Sequence, residues 1–167
     1  TNADFQDINM TGTFSTGATA SSIGDALGNT FGWSSVQPDV SAAQTYTGTG
    51  GADTWSTAAV WTSRVPLPQD DVTLPAAADG SVLTADMPRL GRNITATNYD
   101  RTLSFASTPN TIFGNVALGA GGTFSGTQSL TLAGRGAQTI TSNTKTFPQA
   151  IIVVAFGGSY TQQDDFT

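Results

Sequence analysis

The chain has 167 residues, 38% of them hydrophobic and 11% charged, with a formal net charge of −6. That length holds one domain or two small ones with a real core, and ample apolar content at so low a charge excludes a disordered chain. The negative charge, from twelve Asp and no Glu against five Arg and Lys145, excludes a nucleic-acid binder, because phosphate contacts need clustered Lys and Arg.

Cysteine is absent, which removes disulfides, thiol chemistry and thiolate metal sites together. No apolar run approaches the roughly 20 residues that span a bilayer, so no membrane insertion is expected. Helix formers are scarce, while Thr, Val, Phe and Tyr suit strands and Gly, Asp and Asn suit turns. The composition predicts an all-β protein.

In chain order, residues 1–15 alternate in part through Phe5, Ile8 and Met10. Residues 16–54 are dominated by Thr, Ser, Ala and Gly, with a tight-turning stretch at 47–53. The one helix candidate is 20–27, where Ile23 and Leu27 sit four apart before a break at Gly28. In 55–75, Trp55 and Trp61 are six apart, which places both on one face of an extended chain. Pro66 and Pro68 keep the next segment out of any ladder, and Val72 and Leu74 then alternate as a short strand.

From 82 onward the pattern predicts short strands at 82–84, 93–96, 102–105, 111–118, 129–132, 138–141, 151–155 and 159–162. Turn signals separate them at Gly91, 98–100, 108–110, 119–122, 134–136 and 157–158. The segment 113–125 recurs in outline at 147–161, and its Gly-Gly pairs, beginning at Gly121 and Gly157, lie 36 positions apart. A repeat of that length is one unit that must stack to bury its apolar face. The expected fold is therefore all-β with few or no helices: a short-stranded β-solenoid of the parallel β-helix kind, or a β-sandwich, with a Trp/Pro-rich cap segment. Residues 1–54 read as an N-terminal β or connector segment, the end of a preceding repeat plus a variable loop. Residues 55–167 read as a repeat module that continues past its C-terminus in a longer protein.

The arrangement Trp55…Trp61…Pro66…Asp70-Asp71-Val72 resembles the segment ahead of the β-helix in bacterial autotransporter passengers and large phage surface proteins. Residues 86–94, and 130–142 with 145–148 and 157–161, resemble repeat units of phage tail-fibre and virion-surface proteins built of stacked β-rungs. Residues 16–54 depart from that pattern. The resemblance implies a non-enzymatic structural or adhesive module of a virion fibre, located on the virion surface or outside the cell. Its partners would be further copies of itself, other virion or surface proteins and host cell-surface glycan. The alternatives are a bacterial surface adhesin, a capsid decoration protein and a glycan-degrading tailspike.

Candidate contact residues are few. Trp55 and Trp61 suit stacking on sugar rings, or a layer closing the end of a stacked core. Arg89 and Arg92 suit an acidic partner surface, or pairing with Asp86 and Asp100. Asp70-Asp71 and Asp164-Asp165 lie in no Ca²⁺-loop pattern and read as solvated turn acids. With no His there is no general base of the kind nucleophilic triads use. A carboxylate pair for glycoside hydrolysis is unspecific among twelve Asp. No catalytic residue, cofactor or metal is expected.

Overall fold

A computed structural model describes residues 9–10, 30–31, 41–76, 79–147, 151–153 and 158–165. The helix candidate at 20–27 lies outside them. The sequence pattern suggested a boundary after residue 54, whereas the contacts divide the chain into 1–41 and 42–167, so 42–54 belongs with the repeat module. In the first unit, β1 (Asn9–Met10) pairs in parallel with β2 (Thr30–Phe31).

The second unit is all-β, a β-solenoid of about four turns. Its coil visits three parallel sheets in turn. The first sheet stacks β3 (Ala43–Thr45), β5 (Asp71–Thr73), β8 (Ile94–Ala96), β11 (Val116–Leu118), β14 (Ala137–Thr141) and β16 (Ser159–Gln162). The second stacks β4 (Ala52–Thr54), β6 (Val82–Thr84), β9 (Thr102–Phe105) and β12 (Thr123–Gly126). The third stacks β7 (Arg89–Gly91), β10 (Asn110–Ile112), β13 (Leu130–Leu132) and β15 (Ile151–Val153).

Strands of three to five residues suffice because the inner ones are paired on both sides and corners close them. Alternation sends one residue in and the next out. Inward positions therefore form columns along the coil: Val72, Ile94, Val116 and Ile140 in the first sheet, Leu83, Leu103 and Phe124 in the second. Leu103 is 2% exposed, burial that contributes about 1.5–3 kcal/mol for a side chain of its size.

The repeat is not 36 residues long. Ile94 faces Val116 and Val116 faces Ile140, while Leu130 faces Ile151; one turn of the coil takes 21 to 24 residues there. Gly121 and Gly122 sit between β11 and β12, whereas Gly158 precedes β16. They occupy different corners, so the 36-residue echo joins unlike positions. The expected strand at 111–118 is two strands, β10 and β11, split by a corner at Gly114. A Cβ at Gly114 would lie 2.5 Å from Asn93 Oδ1 and 2.8 Å from the Arg92 carbonyl, so the corner needs glycine.

That Asn93 belongs to a column that fixes register. Its Nδ2 donates to Asp71 Oδ1 one coil back (2.7 Å), and its Oδ1 accepts from the Asn115 N–H one coil on (2.8 Å). Asn115 Oδ1 in turn accepts from the Thr139 N–H (2.8 Å). Asn93 and Asn115 each satisfy a backbone N–H of the next coil that the ladder leaves unpaired. Asn93→Ala should destabilise the fold by about 1–3 kcal/mol. The check is a lowered urea midpoint at unchanged slope, with Asn98→Ala, on an exposed turn, as the near-neutral control.

Candidate functional site

The first coil of the solenoid is built differently from the rest. Gln44 stands in the column of Val72 and Ile94, and Asp53 in the column of Leu83 and Leu103, yet both are buried. Gln44 is satisfied by Ser63 and by the Arg64 N–H. Asp53 Oδ2 accepts from the Tyr46 hydroxyl (2.7 Å) and the Thr49 N–H (3.1 Å), and Oδ1 accepts from the Thr49 hydroxyl. Burial raises the Asp53 carboxyl, but these hydrogen bonds outweigh it and hold the group below its ordinary value of 3.8. Burial, reinforced by Asp53, pushes the Tyr46 hydroxyl well above its ordinary range.

Trp55 and Trp61 close this coil. They are 0% and 4% exposed, their ring centroids lie 4.7 Å apart, and Trp61 Nε1 donates to the Trp55 carbonyl (2.8 Å). Neither offers a ring face to a sugar. They also do not share one face of an extended strand. A turn and a 3-10 segment, Ala58–Val60, fold the chain back so that Trp61 forms an antiparallel bridge with Tyr46. The Thr47 N–H donates to the Val60 carbonyl, and the Thr62 N–H to the Thr45 carbonyl. Trp55 Nε1 is buried without a hydrogen-bond partner, a cost that packing must offset.

Asp70 is wholly buried, not a solvated turn acid as the sequence suggested. It accepts from the Ala42 N–H (2.7 Å), from the Leu67 N–H (2.9 Å) and from Arg64 in a two-pronged pair (2.7 and 3.1 Å). Asp71 pairs with Arg92 in the same fork geometry (2.7 and 2.9 Å), and that guanidinium is the main reason its carboxyl sits below the ordinary value. Arg92 thus pairs with Asp71. Arg89 is exposed at the start of β7. Asp86 instead accepts from the Ser56 N–H and hydroxyl (2.9 and 2.6 Å), and Asp164 from the Ser142 N–H and hydroxyl (2.7 and 2.9 Å). In four of these acids the carboxylate ties one coil to the next.

A groove of about 460 Å³ crosses the corners ahead of the second sheet, from Gly50 over Asp79 to Ser81, then Asp100 to Thr102, and ends at Thr123. Its floor at Gly80 lies directly over the buried Tyr46–Asp53 pair: a Cβ there would collide with the Tyr46 hydroxyl and lie 2.8 Å from Asp53 Oδ2. Sequence patterns missed this groove because its parts are single turn residues about one coil apart, visible only once the coil length is known. Among the described residues no three His, Cys, Asp or Glu side chains gather as a metal site.

The chain matches no protein-family model, no curated protein and no solved structure.

Two outcomes follow from the carboxylates and the groove floor. Asp53 and Asp71 have folded values below their unfolded ones, so the stability they supply is present above the unfolded value and lost as pH falls through the folded one. Urea midpoints should stay level from neutral pH to about 5 and fall below about 4. A midpoint that falls on the alkaline side of neutrality instead would contradict this assignment. Gly80→Ala should cost about 1–3 kcal/mol by overpacking, read as a lowered thermal midpoint. Gly51→Ala, with nothing within 4 Å of its new methyl, should be close to neutral.

Proposed function

We propose that this chain is a non-enzymatic structural module of a phage virion fibre, a tail fibre or a related surface protein, that holds a stiff scaffold out for attachment to a host surface. The observation that carries the reading is the unbroken parallel ladder of the first sheet, six strands from β3 to β16, of which β5 to β14 are also tied by the Asp71–Asn93–Asn115–Thr139 column. Such a stack is stiff along its axis because every coil is hydrogen-bonded to the one before and the one after. The use of the acids supports the same reading. Asp70, Asp71, Asp86 and Asp164 are committed to bonds between coils, which leaves them poorly suited to proton transfer. The outward faces carry Thr45, Thr73 and Thr95 in one register and Thr84, Ser104 and Ser125 in another, hydroxyls that keep a sheet surface wetted.

Immunogold labelling with an antibody against the module, on virions and uninfected host cells from the source culture, tests this. Gold should follow fibres projecting from virions. Labelling confined to the envelope of uninfected cells would replace the reading with a bacterial adhesin, and labelling spread over capsid faces with a decoration protein.

A further inference from the structure

We infer that the corner groove is a binding site for a linear oligosaccharide, neutral or amino-bearing, lying along the coil axis. This gives the attachment reading above its partner class and rests on it for its purpose, though not for its chemistry. The groove takes one contribution from each of four successive coils: Gly50, Asp79 with Gly80, Asp100 with Arg101, and Thr123. Stacked strands are about 4.8 Å apart, so the groove runs roughly 14 Å along the axis. That repeat is close to the advance of one pyranose residue in an extended glycan, so the groove spans about three sugars.

Among the described residues the groove is lined by polar side chains and glycine. Asp79 and Asp100 are exposed carboxylates that accept hydrogen bonds, exposed Arg101 donates them, and the Thr102 and Thr123 hydroxyls do either. A ligand that meets such groups along its whole length must itself be polar, and a chain of hydroxyls, each able to donate and accept, matches the mixed lining. Gly80 turns its backbone to the groove, because a Cβ there would point inward onto the Tyr46 hydroxyl. The charge balance selects further. Two carboxylates line the groove against one guanidinium, which already leans on Asp100 (3.3 Å), and the Asp53 carboxylate lies beneath the floor. A polyuronate or other polyanionic glycan is repelled, whereas a neutral chain or one bearing ammonium groups is accepted. Among the described residues no aromatic platform lines the groove, so a single site binds weakly. Weak sites repeated along a fibre reach useful strength through avidity.

The test is a titration of the ¹⁵N-labelled 167-residue chain with maltotriose, with N,N′,N″-triacetylchitotriose, with the glucosamine trimer and with trigalacturonate. The expected result is movement of the Gly80, Arg101 and Thr102 amide signals with at least one of the first three, and none with trigalacturonate. Asp100→Asn, an exposed change that should leave the thermal midpoint in place, should weaken that binding about tenfold. Affinity should rise from mono- to trisaccharide and then level off, since the groove holds about three sugars. Trigalacturonate binding as tightly as the others, binding unchanged by Asp100→Asn, or no movement with any trimer at about 10 mM would each overturn the inference. The immunogold result is independent of these, so a failed groove and a failed fibre assignment are told apart.

Discussion

Register between neighbouring coils is the constraint on which the rest of this structure depends. In a parallel solenoid each strand meets the strand one coil back and the strand one coil on, and a slip of one residue turns every inward side chain outward. Strands of three residues offer few ladder bonds with which to resist a slip. The Asp71–Asn93–Asn115–Thr139 column supplies what the ladders lack, because each side chain bonds a group of fixed position on an adjacent coil. Gly114 follows from the same column: the Asn93 side chain occupies the space a Cβ would need. Once register is fixed, the columns of Val, Ile, Leu and Phe stack like on like, and a continuous core forms without any long element.

Acidic residues do a related job where the backbone departs from the ladders. Asp70 reaches from the start of the second coil to the Ala42 N–H of the first, Asp86 reaches Ser56, and Asp164 reaches Ser142. Asp serves here and Glu does not appear, because a short side chain keeps its carboxylate close to the corner from which it projects. Hydrogen bonds to a charged acceptor are also roughly twice as strong as neutral ones. This use of charge explains how a chain with so few basic residues tolerates a net charge of −6. Several of its carboxylates are stabilised by backbone N–H groups, and only a few by guanidinium.

Much of the fold was legible in the sequence. Strands β6, β9 and β16 stand where alternation and turn residues placed them, at 82–84, 102–105 and 159–162. The period was not legible, because the Gly-Gly pairs that stand out by eye mark two different corners. The informative echo is quieter: Asn93-Ile94-Thr95-Ala96 against Asn115-Val116-Ala117-Leu118, with Asx leading an inward β-branched residue. Strands β3, β4 and β7 were missed for a related reason. Gln44 and Asp53 occupy inward positions that pattern reasoning expects to be apolar, and Gly91 in β7 reads as a turn. The candidate groove was illegible, since Asp79 and Asp100 are unremarkable until the coil brings them to one corner.

The polar interior of the first coil follows from its place in the stack. Residues 60–62 run antiparallel against β3 and engage the backbone of Thr45 and Thr47, so a further parallel strand cannot pair at those positions. An edge closed in this way avoids the strand-to-strand association that open edges invite. The closing segment must itself be held, and an apolar column offers it nothing directional. Gln44 turned inward binds Ser63 and Arg64 of that segment, and Asp70 fixes it again through Arg64 and Leu67. The Trp55–Trp61 pair then fills the volume that an ordinary coil would fill with aliphatic side chains. Substituting Leu for Gln44 would extend the hydrophobic column by one member, yet it would release the segment that closes it, so the polar residue is the one the architecture requires.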